Sequence, residues 1–183
     1  LKAKTLMALA RDDGLVSTGA GRVTDAVMDS VRYGAAARKF FGRGIGDIVD
    51  WPPGSFAIDG TGERDGHEMK DVNTVVNAFH YRALVLIGRI AAALGKHDDA
   101  DRFSRRASLV ERSFQQAFFD PARGLYVDGE GSSHSSLHSN MFALAFGLVP
   151  EDRRGHVVEF VKSRGMACSV YGAQYLLEAL YQV

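Results

Sequence analysis

Helix-length stretches of this chain alternate between two kinds of hydrophobic patterning. From Thr74 to Leu94, the residues Val76, Phe79, Ala83, Ile87, Ile90 and Leu94 mark one apolar stripe at helical spacing. A second face carries Asn77, Tyr81, Leu84 and Gly88, so only Arg82 and Arg89 demand water. A helix apolar on more than one side is buried on more than one side. Asn73 is a candidate N-cap for it, and Gly95 a stop. The next stretch, His97 to Phe119, has a single stripe of Ala100, Phe103, Ala107, Val110, Phe114 and Ala117. Asp101, Arg102, Arg105, Arg106, Glu111 and Arg112 cover its other faces, which predicts an outer helix. Ser135 to Gly147 has no formal charge apart from His138 and is predicted to be enclosed. Glu151 to Lys162, opened by Pro150, turns Val157, Phe160 and Val161 inward and Asp152, Arg153, Arg154 and Lys162 outward. Gly172 to Val183 carries Glu178 as its one charge.

Inner, outer, inner, outer, inner is the pattern of layered helical hairpins, which predicts an all-α fold. With short connections such an array closes into a double ring, an α/α barrel, or curls as a solenoid. No repeated residue pattern is visible, which disfavours the consensus solenoids. The N-terminal part is less regular. Leu1 to Asp12 reads as an amphipathic helix ending at Gly14, Leu15 to Arg22 as turn, and Thr24-Asp25 as the cap of a short helix through Met28 and Val31. Ala35 to Phe41 has helical character between glycines. The cluster GRGIGD at Gly42 lacks the preceding strand of a phosphate loop and reads as a plain turn.

If the inner helices run parallel, their N-termini share one rim. The segments that precede them, Asp50–Asn73, Tyr126–Ser136 and Arg164–Tyr171, hold nearly all the glycines, histidines and irregular polar groups of the second half. Helix N-termini present unpaired N–H groups and partial positive charge, suited to ligand oxygens or carboxylates. A pocket is expected on that rim.

The residues there suggest sugar chemistry. Trp51, the only tryptophan, stands beside Asp50 and two prolines, and Glu63, Arg64 and Asp65 follow between glycines. An indole face covers the C–H side of a pyranose while charged forks hold its hydroxyls. The plainer alternative is a core tryptophan with a solvated charged loop. Glu63 or Asp65 could act as acid or base in glycoside hydrolysis, which needs two carboxyls across the bond. His80 and Tyr81 either reach the pocket or sit in the core. His134 and His138, four apart, lack a third ligand, so no metal or cofactor is expected. Cys168 stands alone, which excludes an internal disulfide, and nothing nearby marks it as activated. Zero formal net charge gives no case for nucleic acid or an anionic membrane, and no apolar run reads as long enough to span a bilayer.

The runs DIVDWPPG, ERDG, NTVVNAFHYRAL, LGKHDDA, SLHSNMFALAFGLVP and KSRGMACSVYGAQYLLEALY resemble the six-hairpin catalytic domain of bacterial α-L-rhamnosidases, glycoside hydrolase family 78. The resemblance covers most of the chain and is weakest over Val16 to Gly46. It implies a partial (α/α)6 six-hairpin barrel acting on a carbohydrate substrate. The implied reaction releases terminal α-L-rhamnose from glycosides or polysaccharides by an inverting mechanism. Asp50-Trp51 matches the family's Asp-Trp step, whose indole lines the rhamnose subsite. Glu63, Arg64 and Asp65 of the ERDG loop, with His80 and Tyr81, fall where similar proteins approach the site. His138 and Asn140 complete the candidate substrate-binding set. The family's general acid motif is expected before Leu1 and its general base step after Val183; neither occurs here. Residues 1–183 are therefore expected to be the central part of one domain, truncated at both ends, inactive alone and partnered by the rest of that domain. Kinship suggests a periplasmic or extracellular location. Another six-hairpin enzyme with a different sugar specificity, or a non-catalytic carbohydrate-binding or scaffold module, would share the same helical pattern.

Overall fold

A computed structural model of the chain describes residues 7–19, 21–30, 47–50 and 65–182. The helix expected over 35–41, the glycine cluster at 42–46 and the candidate residues Trp51, Glu63 and Arg64 lie outside the described residues. Of the stretch expected to be helical before Gly14, residues 7–9 are described as helix.

A short helix α1, Asp25–Ser30, follows Thr24, whose Oγ1 accepts from the Val27 N–H at 3.3 Å. The long helix α2, Thr74–Ala93, is capped by Asn73, whose Oδ1 accepts from the N–H groups of Val75 and Val76 at 2.9 and 3.2 Å. It stops at Gly95, which takes φ +68° so that Gly95 and Lys96 can donate back to Ala92 and Ala91. Helix α3, His97–Phe118, then folds back along α2, with Asp98 and Asp99 complementing the positive end of its dipole. A two-residue antiparallel pair follows, β1 (Phe119–Asp120) with β2 (Leu125–Tyr126), turned at Gly124. The helical pattern gave no sign of this hairpin. Helix α4, Leu137–Ala145, is buried along its whole length and packs against α2, α5 (Glu151–Ser163) and α6 (Val170–Tyr181).

Phe79 of α2, Phe142 and Phe146 of α4 and Tyr175 of α6 form one aromatic cluster, with ring centroids 4.9–5.7 Å apart. The same core continues under α3 through Phe114, Phe118 and Tyr126. The burial of α2 differs from the expected stripe. Val75, Ala78, Leu84 and Ala91 are buried, whereas Ile90 and Leu94 are 58 and 67 % exposed. Gly88 faces α3, an added Cβ lying at an ordinary contact distance of 3.6 Å from that of Phe103. The face with the small residues, not the most hydrophobic one, meets α3.

Among the described residues, α2 is long and apolar enough to cross a bilayer by length and composition, which corrects the reading that no run reaches that length. It buries Asn77 and His80 and packs on α3 and α4, with a third of its apolar window buried.

An unexpected regularity appears at the start of two inner helices. Asn77, four residues after the cap Asn73, clamps both backbone groups of Val16 and also donates to the Asn73 carbonyl. Asn140, four after the cap Ser136, does the same to Tyr126 and to the Ser136 carbonyl. Each clamp pins an extended segment to the first turn of a helix.

Candidate functional site

The three segments that precede α2, α4 and α6 meet through buried carboxylates. Asp128 lies just after β2 and is fully buried. Its Oδ1 accepts from the Ser136 N–H at 2.9 Å and from the hydroxyls of Ser136 and Ser139, both at 2.7 Å. Its Oδ2 accepts from the Glu68 N–H at 2.9 Å and from His134 Nδ1 at 2.7 Å. Burial alone would raise the carboxyl's pKa. The neighbouring His67, the Ser139 hydroxyl and the Glu68 N–H outweigh it and hold the pKa well below the ordinary carboxylate range.

Hydrogen bonding also assigns the His67 ring. Asn73 Oδ1 is occupied by α2's N–H groups, so the group facing His67 Nε2 at 2.9 Å is the Asn73 amide nitrogen, a donor. His67 Nε2 therefore accepts, and its proton sits on Nδ1, directed at Ser136 Oγ (2.9 Å) and Asp128 Oδ1 (3.2 Å). One network thus joins the cap of α2, the cap of α4 and the loop between them. Backbone pairing reinforces it: Thr74 donates to the Asp128 carbonyl and Glu130 to that of Val72.

Asp65 holds a left-handed conformation at φ 48°, which aspartate tolerates better than most residues. Its Oδ2 accepts from the Leu137 N–H at 2.7 Å, in the first turn of α4, and from Arg164 Nε at 2.8 Å. Arg164 Nη2 takes Oδ1, completing a two-pronged ion pair between the ERDG loop and the segment before α6. Asp50 performs the corresponding task at α6. Its Oδ2 accepts from the Ser169 N–H at 2.8 Å and contacts His138 Nε2 at 2.9 Å, while Oδ1 takes the Ser169 hydroxyl. Ser169 Oγ in turn caps Tyr171 and Gly172.

Gly172 makes this approach feasible. A Cβ there would lie 2.7 Å from Asp50 Oδ2 and 2.9 Å from Cys168 Cβ. Alanine at a helical position ordinarily stabilises by about 1 kcal/mol relative to glycine. Gly172→Ala is nevertheless expected to destabilise by about 1–3 kcal/mol, because overpacking outweighs propensity here. A urea midpoint equal to or above wild type would contradict that.

The structure brings Asp50, Asp65 and His138 together on this rim. The other described candidates lie elsewhere. Asn140 has its amide engaged by backbone groups, as above. His80 is buried beside Gly14 and near Arg106 of α3. Tyr81 lines a cavity of about 430 Å³ between α2 and α3, with Gly88 and Glu111. His134 and His138 turn to different carboxylates, and among the described residues no group of three His, Cys, Asp or Glu side chains could hold a metal ion. Asp128, His67 and Arg164 were not singled out from the sequence. The available signal was the serine-rich run before a charge-free helix, a capping signature that calls for a nearby acceptor.

The sequence profile of the bacterial alpha-L-rhamnosidase 6 hairpin glycosidase domain matches residues 27–183. The chain belongs to this family. Its helices are accordingly part of an (α/α)6 six-hairpin rhamnosidase-type domain. The crystal structure of the GH78 family rhamnosidase of Bacillus sp. GL1 shares the fold, with a TM-score of 0.67 and 20 % identity over 98 % of this chain. This chain spans 16 % of the length of that protein. No curated protein matches it. Within the rhamnosidase domain, the Asp-Trp step begins at the carboxylate that holds Ser169, the cap of α6, and the ERDG loop contains the carboxylate that accepts from the first N–H of α4.

Proposed function

We propose that this chain forms substrate-binding wall in the catalytic domain of an inverting α-L-rhamnosidase, an enzyme that releases terminal α-L-rhamnose from glycosides or polysaccharides. The observation that carries this reading is the convergence of Asp50, Asp65 and Arg164 on the leading ends of α4 and α6. It supports the reading because it gathers Asp50, the first residue of the Asp-Trp step, and Asp65 of the ERDG loop at one rim. Rhamnose is a 6-deoxy sugar, so its pocket needs an apolar patch for the methyl group and donors and acceptors for the hydroxyls. By residue type Trp51 with Pro52 and Pro53 suits the first and Glu63 and Arg64 the second, while Asp50 and Asp65, already bonded to the protein's own donors, hold the rim.

In this reading the rim carboxylates shape the pocket and do not relay protons. A general acid must carry a proton at the working pH, and Asp128 is held ionised. Asp50 and Asp65 each accept several hydrogen bonds from the protein's own donors. The acid and the base, about 6.5–9.5 Å apart in an inverting enzyme, are then other carboxylates of the domain.

The test is a panel of aryl glycosides given to the protein that carries this chain. Hydrolysis of the α-L-rhamnoside with inversion at the anomeric carbon is expected, and Trp51→Ala should lower its kcat/KM by about tenfold or more at unchanged melting temperature. Preference for another sugar would redirect the assignment within the six-hairpin enzymes. Unaltered kinetics in a folded Trp51→Ala variant would remove the indole from the site.

A further inference from the structure

We infer that His134 is a substrate-contacting residue of this rim, its outward ring nitrogen forming a hydrogen bond with a hydroxyl of the bound glycoside. The inference rests on the reading of the domain as a glycoside hydrolase and adds a contact that the sequence motifs do not contain.

Three of the four polar atoms of His134 are fixed by the protein. Its N–H donates to Ser132 Oγ at 3.0 Å, its carbonyl accepts from the Asp128 N–H at 3.0 Å, and Nδ1 lies 2.7 Å from Asp128 Oδ2. Asp128 accepts on both oxygens and is kept ionised, so the shared proton belongs to Nδ1. The ring is thereby held in one orientation by a buried carboxylate, the arrangement that presents the second nitrogen with defined direction. Nε2 has no protein partner among the described residues, and the side chain is 37 % exposed.

The surroundings place that nitrogen where a sugar is expected. Gly66 of the ERDG loop backs onto the ring: a Cβ at this glycine would come within 3.7 Å of Nε2, and φ +66° disfavours any side chain there. The neighbouring residue Asp65 bonds the first turn of α4 and pairs with Arg164. Glu68 is close by, held through Ser132 Oγ at 2.7 Å and Lys70 at 3.3 Å. A preorganised, half-exposed imidazole among fixed charged groups suits recognition of a hydroxyl, to which it can donate or accept.

The decisive variants separate the two ring nitrogens. In His134→Asn the amide reaches the place of Nδ1 and keeps the bond to Asp128, but nothing occupies the place of Nε2. In His134→Gln an amide reaches the place of Nε2. In the protein that carries this chain, His134→Asn is expected to raise KM by about tenfold with kcat within about twofold and the melting temperature unchanged, the signature of lost uniform binding. His134→Gln should recover part of that loss. An unchanged KM in His134→Asn would overturn the inference, as would a loss of activity that follows only a lowered melting temperature. The wild-type panel separates this from the parent reading. If the protein cleaves a glycoside other than a rhamnoside, the rhamnosidase assignment falls while the KM ratio on that glycoside still decides His134. If it cleaves none, both fall.

Discussion

Replacing Asp128 with alanine is expected to destabilise the domain by about 3–5 kcal/mol, a large part of the roughly 5–15 kcal/mol that holds a typical domain folded. The fully buried carboxylate accepts from the N–H groups of Glu68 and Ser136, the hydroxyls of Ser136 and Ser139, and the His134 ring. Alanine leaves those donors facing one another, and each buried unsatisfied polar group costs about 1–3 kcal/mol. Water entering the space would recover some of this, which keeps the total below the simple sum. Asp128→Asn should fall between, since its carbonyl still accepts on one side while its amide meets donors on the other. Urea denaturation measures both. An alanine variant within about 1 kcal/mol of wild type would mean that the network is not a structural hub. Acid should have a related effect. The folded-state pKa is lowered, so this carboxylate's contribution is present above its unfolded value near 3.8 and is lost as pH falls through the folded value.

Acidification should act earlier through His80. Burial, then the charge of Arg106, lower its pKa from 6.5 to about 4, against a hydrogen bond to the Gly14 backbone. Nε2 is buried with no partner, so protonation would put a new N–H where no acceptor waits. The sign follows: the unfolded chain binds this proton below pH 6.5 and the folded one does not until about pH 4. Stability is therefore complete above 6.5 and falls as pH drops toward 4, by about 3 kcal/mol in total. The test compares urea midpoints between pH 7 and 4.5 for wild type and His80→Asn, whose amide can keep the Gly14 contact without titrating. The variant should lose much of the pH dependence in this window. An equally steep acid limb in the variant would assign it to other groups.

The helices from Thr74 onward, and the short one after Thr24, were legible in the sequence to within about two residues, whereas the one expected through Asp12 ends at Leu9. Alternation between doubly apolar and singly apolar stretches marked them, and local capping chemistry ended them: Asn73 and Gly95 bound α2, and Pro150 precedes α5. Those signals are short-range and depend on residue type and spacing alone. The resemblance to the six-hairpin rhamnosidases likewise rests on runs of residues, and the profile match over 27–183 agrees with it. The hairpin at 119–126 escaped because two-residue strands leave no period to detect.

What tertiary structure decided is which polar groups meet. Asp128 sits eight residues before Ser136 but sixty after Glu68, and no periodicity reveals that both donate to it. Asp50 reaches Ser169 across 119 residues, and that contact, not its neighbour Trp51, gives it a cap to serve. Which face of α2 is buried depended on how it fits against α3 and α4, a property of several surfaces together. Local sequence encodes the helices because hydrogen bonding within them is local. The rim is made of contacts between segments far apart in the chain, so only the packing of those helices could assemble it.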